Sequence, residues 1–339
     1  MTTAQREEIA ARLAAFLTTV AGAPATVVAM QPIAGGASRE TWAVEAEIGG
    51  AREALVLRMD LASSMNPDAL SRPQEFALLA AAHAAGVLAP RPRWLDADGT
   101  ALGRPFLLME RVAGESIGPR VVRRPELADA RTRLPGQMAE QLARIHAIDP
   151  APLDFLPRPA ANSSPALYAL DRTRRAIDAI DLQNPALEFG MRWLERRAPG
   201  CERLTLIHGD FRIGNLLVGP AGLNAVIDWE FAHVGDPHED LAWPCVRDWR
   251  FGNDALRLGG VADVAPYLAA YEATSSRNVD RDALRWWEIM GNLRWAATCH
   301  VQAQRHLSGA DPSVELASLG RRAAEMELEL LGLIEEVEG

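Results

Sequence analysis

The stretch LIHGDFRIGNLLV, from Leu206 to Val218, places a polar cluster between two hydrophobic runs, and AVIDWE follows it at 225–230. Polar side chains at strand ends are costly to bury unless they bind one another, solvent or a ligand. The segment NLLVGPAGLNAVID predicts a β-hairpin with the loop Pro220–Leu223, because Pro and Gly suit such loops. In that register Asn215 lies opposite Asp228, so a carboxamide and a carboxylate project from one end of the hairpin.

Oxygen ligands of this kind are those that Mg²⁺ takes from proteins, with water and phosphate completing its shell. Asp210 precedes Asn215 by five residues, which places it on the loop leading into the hairpin. The alternative is an ordinary hairpin whose Asn and Asp only cap strand ends. The spacing H-x-D-x-x-x-x-N, followed by an Asp at a strand end, favours the metal site.

The length and composition predict a folded protein with two domains. At 339 residues the chain exceeds the length at which a single core stops growing. Its net charge of −10 disfavours nucleic acid and anionic membranes as partners. All its basic residues other than histidine are Arg, since the sequence contains no Lys. Three separated Cys indicate neither a disulfide framework nor a zinc site.

Neither an apolar run long enough to span a bilayer nor a basic signal-peptide region is present, so the expected location is the cytoplasm. Short alternating runs separated by turns fill the first third of the chain, after a helix at 4–20, and predict an antiparallel meander. Helical periodicity dominates from Pro125 onward, apart from a β-like island at 204–228. The pattern predicts an α+β fold.

HGDFRIGN together with IDWE resembles the catalytic and metal-binding segments of the aminoglycoside phosphotransferase/choline kinase-like family, relatives of the protein kinases. The resemblance implies a bilobal protein kinase-like fold, with an antiparallel-sheet N-lobe at 1–112 and a mainly helical C-lobe at 113–339. It implies that Asp210 is the catalytic base. It also implies that Asn215 and Asp228 bind Mg²⁺ and that His208 braces the loop.

The same resemblance implies that the first lobe binds ATP. IAGGASRETW is similar to the family's phosphate loop, LVLRM carries Arg where the family has a lysine, and FLLMERV is similar to the segment that holds adenine. In a chain without lysine, Arg at position 58 is expected under the same compositional pressure. The implied cofactor-binding residues are Gly35, Gly36, Ser38, Arg58, its partner Glu75, Met109, Glu110 and Val112.

The second lobe carries a family-like GDPHEDLAW stretch, in which Asp236 and Asp240 are expected to anchor the active-site loops. The helix RWWEIMGNLRW resembles one in the branch of the family found beside acyl-CoA dehydrogenase-like domains. On that helix, Glu288, Asn292 and Trp295 are candidates for an acceptor pocket.

The resemblance implies an ATP- and Mg²⁺-dependent O-phosphotransferase acting on a small-molecule hydroxyl, as a monomer or homodimer. The acceptor stays open among aminoglycoside-like compounds, amino alcohols and hydroxyacyl compounds. One alternative is a nucleotide-binding pseudokinase with a regulatory role. Another is a binuclear metallohydrolase built from His208, Asp210, Asp228, His233 and His238.

Overall fold

The α+β class predicted from the sequence is confirmed, with an antiparallel sheet in the first third and a helical remainder. The computed structural model describes residues 3–33, 39–60 and 69–339. Contacts divide the chain into two compact units, Met1–Gly114 with Asn224–Phe231, and Glu115–Leu223 with Ala232–Gly339. The segment that contains Asp228 thus groups with the first unit, although it follows the hairpin in sequence.

The first unit is built on a five-stranded antiparallel sheet in the order β1-β2-β3-β5-β4. A meander joins its first three strands, as predicted. The fourth strand had no sequence signal of its own, since Pro92 begins it and it spans five residues. The elements are α1 (Thr3–Ala21), β1 (Ala25–Pro32), β2 (Arg39–Ile48), β3 (Ala51–Asp60), α2 (Arg72–Ala84), β4 (Pro92–Asp96) and β5 (Phe106–Glu110).

Strand β3 is buried on both faces, which explains its continuous LVLRM run. Leu57 and Met59 pack in the core cluster that also contains Leu13 and Leu17 of α1. Because side chains alternate along a strand, Arg58 points to the opposite face. A charged side chain is therefore buried there by the fold, and it requires partners.

The chain after Gly114, most of which forms the second unit, is mainly helical and contains two small two-stranded sheets. None of the helices in the described residues has both the length and the apolar character needed to cross a bilayer. The helices and strands of this part of the chain are α3 (Gly118–Arg123), α4 (Ala128–Ile145), α5 (Pro165–Asp178), α6 (Pro185–Arg196), β6 (Thr205–Ile207), β7 (Leu216–Gly219), β8 (Gly222–Val226), β9 (His233–Gly235), α7 (Pro237–Ala242), α8 (Val264–Ser275), α9 (Arg281–Leu307) and α10 (Val314–Glu338).

The predicted hairpin forms from β7 and β8, but its loop is shorter than expected. Strand β8 begins at Gly222, two residues before the position that a four-residue loop requires. The reason lies in α4: Gln137 Oε1 accepts a hydrogen bond from the Leu223 amide at 2.9 Å and fills the space beside Gly222. This tertiary contact extends the strand by two residues.

Replacing Gly222 by Ala should destabilise the protein. Its φ of +119° favours glycine, and a Cβ there would lie 2.1 Å from Gln137 Oε1. We expect Gly222→Ala to lower the free energy of unfolding by about 1–3 kcal/mol in urea denaturation. The matched control is Gly332→Ala in α10, where a Cβ meets nothing within 4 Å. That change should be neutral or stabilising by up to about 1 kcal/mol; equal effects at the two sites would contradict this account of the hairpin.

Candidate active site

Arg58 is the centre of a buried ion-pair cluster in the first unit. Its Nη1 lies 2.7 Å from Glu75 Oε1 on α2, and its Nη2 lies 2.9 Å from Asp228 Oδ1. Glu230 Oε2 is 4.0 Å from the same Nη2. Burial alone would lower the pKa of the Arg58 guanidinium, but these carboxylates outweigh burial and raise the pKa above its ordinary value. The guanidinium therefore stays charged.

Glu75 is fully buried and has a second cationic partner. Arg72, one turn earlier on α2, forms an ion pair with Glu75 and places Nε 3.1 Å from Asp60 Oδ1. The expected ion pair between Arg58 and Glu75 is thus part of a larger network joining β3 to α2. Such a network fixes the position of the Arg58 side chain.

Asp228 adopts a left-handed backbone conformation, with φ of +67°. A positive φ is uncommon in residues other than glycine, although Asp and Asn tolerate it better than most. Strained residues of this kind cluster at functional sites. Its side chain is 29% exposed while Oδ1 binds Arg58, so part of the carboxylate faces outward.

The end of β5 offers backbone groups rather than side chains. Met109 is buried, and the Glu110 amide donates to the Arg91 carbonyl at 2.9 Å. The Val112 amide, two residues on, has no hydrogen-bond partner among the described residues. Gly35, Gly36 and Ser38, the predicted phosphate loop, lie outside the described residues.

In the second unit, a buried carboxylate holds the turn that follows β6. Asp240 on α7 accepts hydrogen bonds from the His208 amide at 2.6 Å and the Gly209 amide at 2.9 Å. Its Oδ2 also lies 3.4 Å from His146 Nε2, and His146 Nδ1 lies 2.8 Å from the Tyr271 hydroxyl. With these partners the fully buried Asp240 is satisfied, and the turn is pinned to α7 and α4.

The turn fixes the backbone of Asp210. His208 is fully buried, and its Nδ1 accepts the Asp210 amide at 3.2 Å. Gly209 takes φ of +81°, a conformation that favours glycine, and its carbonyl accepts Arg294 Nη2 at 2.7 Å. Both neighbours thus set the direction in which the Asp210 side chain leaves the chain.

Three donors orient the carboxylate of Asp210, whose side chain is 12% exposed. Oδ1 accepts from Arg212 Nε at 3.0 Å and from Trp243 Nε1 at 2.7 Å. Oδ2 accepts from Asn215 Nδ2 at 2.6 Å. Since a carboxylate oxygen accepts about two hydrogen bonds, Oδ1 is saturated and Oδ2 keeps one acceptor position.

Asn215 bonds to Asp210 through its amide nitrogen only. Nδ2 also donates to the Asp210 carbonyl at 2.9 Å, so neither bond uses the carboxamide oxygen. Asn215 itself ends a short 3₁₀ turn at Ile213–Asn215, immediately before β7. The turn thus leaves a neutral oxygen as the part of Asn215 that a cation would bind.

The remaining polar residues of the GDPHEDLAW stretch bind one another. Asp236 caps α7 and accepts from the His238 amide and ring, the latter at 2.7 Å. His233 Nε2 lies 3.0 Å from Glu239 Oε2. Burial raises the pKa of Glu239, but His233 and Arg294 outweigh it and lower the pKa to about 2. Among the described residues, no group of three or more His, Cys, Asp or Glu side chains is arranged to hold a metal ion.

The helix predicted to line an acceptor pocket is mostly core. Asn292 has no exposed surface; its Nδ2 donates to the Glu288 carbonyl at 2.9 Å and its Oδ1 accepts the Arg247 amide at 3.3 Å. Asn292, one of the residues predicted for the acceptor pocket, therefore lies in the core of the second unit. Glu288 is also buried, and its carboxylate is surrounded by three guanidinium groups, those of Arg250, Arg257 and Arg285.

Three residues around Asp210 were missed as site residues. Trp243 and Arg212 bind its carboxylate, and Arg294 stacks over Trp243, with Cζ 3.8 Å from the ring centroid. Arg212 is part of the quoted motif, but no role was assigned to it. Trp295, a predicted pocket residue, donates to Asp248 Oδ2 at 2.7 Å. Only the spacing of Arg212 two residues after Asp210 offered a signal; the other contacts are tertiary.

Comparisons with known proteins identify relatives of this chain and solved structures with the same fold. Mouse acyl-CoA dehydrogenase family member 10 is 32% identical over 200 residues, which is 57% of this chain and 18% of that much longer protein. A Ralstonia eutropha protein, described as a candidate aminoglycoside phosphotransferase, superposes with a TM-score of 0.75 at 21% identity, covering 96% of this chain and 98% of the other.

A third comparison carries ligands. Aminoglycoside phosphotransferase APH(4)-Ia, solved as a ternary complex with ADP and hygromycin B, has a TM-score of 0.60 at 16% identity, covering 95% and 98% of the two chains. These structures share the fold. The sequence model of the phosphotransferase enzyme family (APH) matches residues 29–287, more than half of the chain. The protein therefore belongs to the phosphotransferase enzyme family.

Proposed function

We propose that this protein transfers the γ-phosphoryl group of ATP to a hydroxyl group of a small molecule, with Mg²⁺ bound to the nucleotide. The observation that carries the proposal is the arrangement around Asp210, a carboxylate oriented by three donors with one acceptor position left on Oδ2. Phosphoryl transfer needs chiefly positioning and charge stabilisation, and this arrangement supplies a positioned base.

In the proposed step the acceptor hydroxyl oxygen forms a bond to the γ-phosphorus. The bond between that phosphorus and its bridging oxygen breaks, and ADP leaves with the electron pair. The hydroxyl proton passes to Asp210 Oδ2, because both acceptor positions of Oδ1 are occupied. Asn215 and Trp243 hold the carboxylate plane while the proton moves.

The first unit would bind the nucleotide. Arg58, kept charged by its buried carboxylates, is suited to phosphate oxygens, and the Val112 amide is a backbone donor with no partner among the residues that the structure describes. Met109 would form an apolar wall beside adenine, with Glu110 offering its carbonyl. Gly35, Gly36 and Ser38 remain the predicted phosphate loop. The ADP complex of APH(4)-Ia supports a nucleotide site in this fold.

Asn215 and Asp228 would hold Mg²⁺. Their donor set fits a hard cation, since it consists of one partly exposed carboxylate and one carboxamide oxygen that has no hydrogen-bond donor among the described residues. Bound Mg²⁺ neutralises the charge of phosphate oxygens during transfer.

The acceptor class stays open among aminoglycoside-like compounds, amino alcohols and hydroxyacyl compounds. A reducing cytoplasm remains the predicted location. The pseudokinase alternative loses its main support, because Arg58 makes the ion pair with Glu75 that the usual lysine would make.

Asp210→Asn should abolish most of the transfer without weakening nucleotide binding. A positioned general base contributes about 100- to 10,000-fold, and the amide cannot accept the proton. ATP consumption and phosphate-ester formation would be followed across the three acceptor classes for the wild type. The variant would then be tested on each acceptor found, with ATP affinity measured by calorimetry. Unchanged kcat in the variant would refute the role of Asp210.

Asp228→Asn should weaken Mg²⁺ binding. ATP should bind more tightly as Mg²⁺ is added, and we compare the Mg²⁺ concentration that gives half of this effect. We expect that concentration to be about tenfold or more higher in the variant than in the wild type, because a charged ligand is lost. The affinity for ATP measured in chelator should change little. A titration in which wild type and variant respond equally to Mg²⁺ would exclude Asp228 as a metal ligand.

A further inference from the structure

Arg212 presents two terminal nitrogens beside the Asp210 carboxylate. Its Nε donates to Asp210 Oδ1 at 3.0 Å, and its side chain is 23% exposed. Neither Nη1 nor Nη2 has a hydrogen-bond partner in the described part of the chain. A guanidinium has five N–H donors, so four of them have no acceptor among residues 3–33, 39–60 and 69–339.

The position of this guanidinium is fixed by packing as well as by the bond to Asp210. Its Cζ stacks over the ring of Trp249 at 4.3 Å from the centroid. Trp249 is buried, and its ring lies 5.6 Å from that of Trp243 and 4.5 Å from that of Trp295. Stacking on a buried aromatic cluster holds the guanidinium plane in place.

The backbone leaves room for the group at Gly214. A Cβ there would lie 2.1 Å from Arg212 Nη1. The glycine thus lets the terminal nitrogen lie against the turn that carries Asn215. The same turn therefore accommodates the predicted base, a predicted metal ligand and the guanidinium.

Arg294 is a second guanidinium that contacts this turn, and it provides the contrast. Its Nη1 donates to Glu239 Oε1 and its Nη2 donates to the Gly209 carbonyl, both at 2.7 Å. Arg294 is therefore bound by the protein through both terminal nitrogens, as a structural cation is. Arg212 has the same charge and a similar exposure, but its two terminal nitrogens are available to a ligand.

We propose that Arg212 is a catalytic residue that binds an oxyanion beside Asp210 through Nη1 and Nη2. The inference rests on the proposed function. The planar fork matches the spacing of phosphate or carboxylate oxygens. The oxyanion is supplied either by the phosphoryl group in transfer or by an anionic group of the acceptor. Arg212 keeps its protons throughout and acts by charge and hydrogen bonding.

The test uses ADP, Mg²⁺ and aluminium fluoride as a mimic of the phosphoryl group in transfer, with affinities measured by calorimetry. Aluminium fluoride should tighten ADP binding to the wild type. In the Arg212→Gln variant, the gain in ADP affinity on adding aluminium fluoride should be about 100-fold smaller than in the wild type. The affinity of the variant for ADP alone should stay unchanged. Arg212→Lys, which keeps the charge without the fork, should fall between them. Arg192→Gln, at an exposed ion pair on α6, is the matched control and should bind like wild type.

An acceptor anion as the source predicts a different pattern. Arg212→Gln would then leave the fluoride complex unchanged and raise KM for acceptors with a carboxylate or phosphate, but not for neutral alcohols. Two results overturn the proposal: no effect on either measurement, or weakening of ADP alone by the same factor as the fluoride complex. A wild-type protein that binds no nucleotide would overturn the proposed function itself, and the Arg212 role with it.

Discussion

The two hydrogen bonds that Asp240 accepts from the His208 and Gly209 amides are the constraint on which the site depends. A fully buried carboxylate is tolerated only with such partners, so the turn and α7 hold each other in place. The turn then sets the backbone of Asp210, and Asn215 and Trp243 set its carboxylate. The position of the Asp210 carboxylate thus depends on Asp240, a residue thirty positions away that holds the turn through its backbone amides.

Because the chain contains no lysine, arginine serves in several different roles. The arginines near the candidate site differ in how many of their guanidinium nitrogens are bound by other groups of the protein. Arg58 joins two carboxylates at once, one through each terminal nitrogen, which a compact ammonium cannot do with the same planar geometry. Arg294 is bound in the same way, to Glu239 and a backbone carbonyl. Within the described part of the chain, Arg212 is bound only through Nε and by stacking on Trp249.

Local sequence patterns predicted the fold class and most elements, because long periodic segments carry strong signals. The short strands β4 and β9 and the six-residue α7 were missed, since three to six residues establish no period. The hairpin was predicted, but its loop depends on Gln137, a contact 86 residues away. Of the site, motif spacing indicated Asp210 and Asn215, whereas the bond from Trp243 and the burial of Asn292 arise only from tertiary packing.

The central claim is that Asp210 removes a proton and does not attack phosphorus, so that transfer is a single direct displacement. The stereochemical course at the γ-phosphorus tests this most directly. ATP made chiral there with sulfur and oxygen isotopes would be used with an acceptor that the enzyme phosphorylates, and the configuration of the product would be determined by ³¹P NMR. The account predicts inversion at phosphorus. Retention would contradict it, because two displacements through a phosphorylated side chain would then be required.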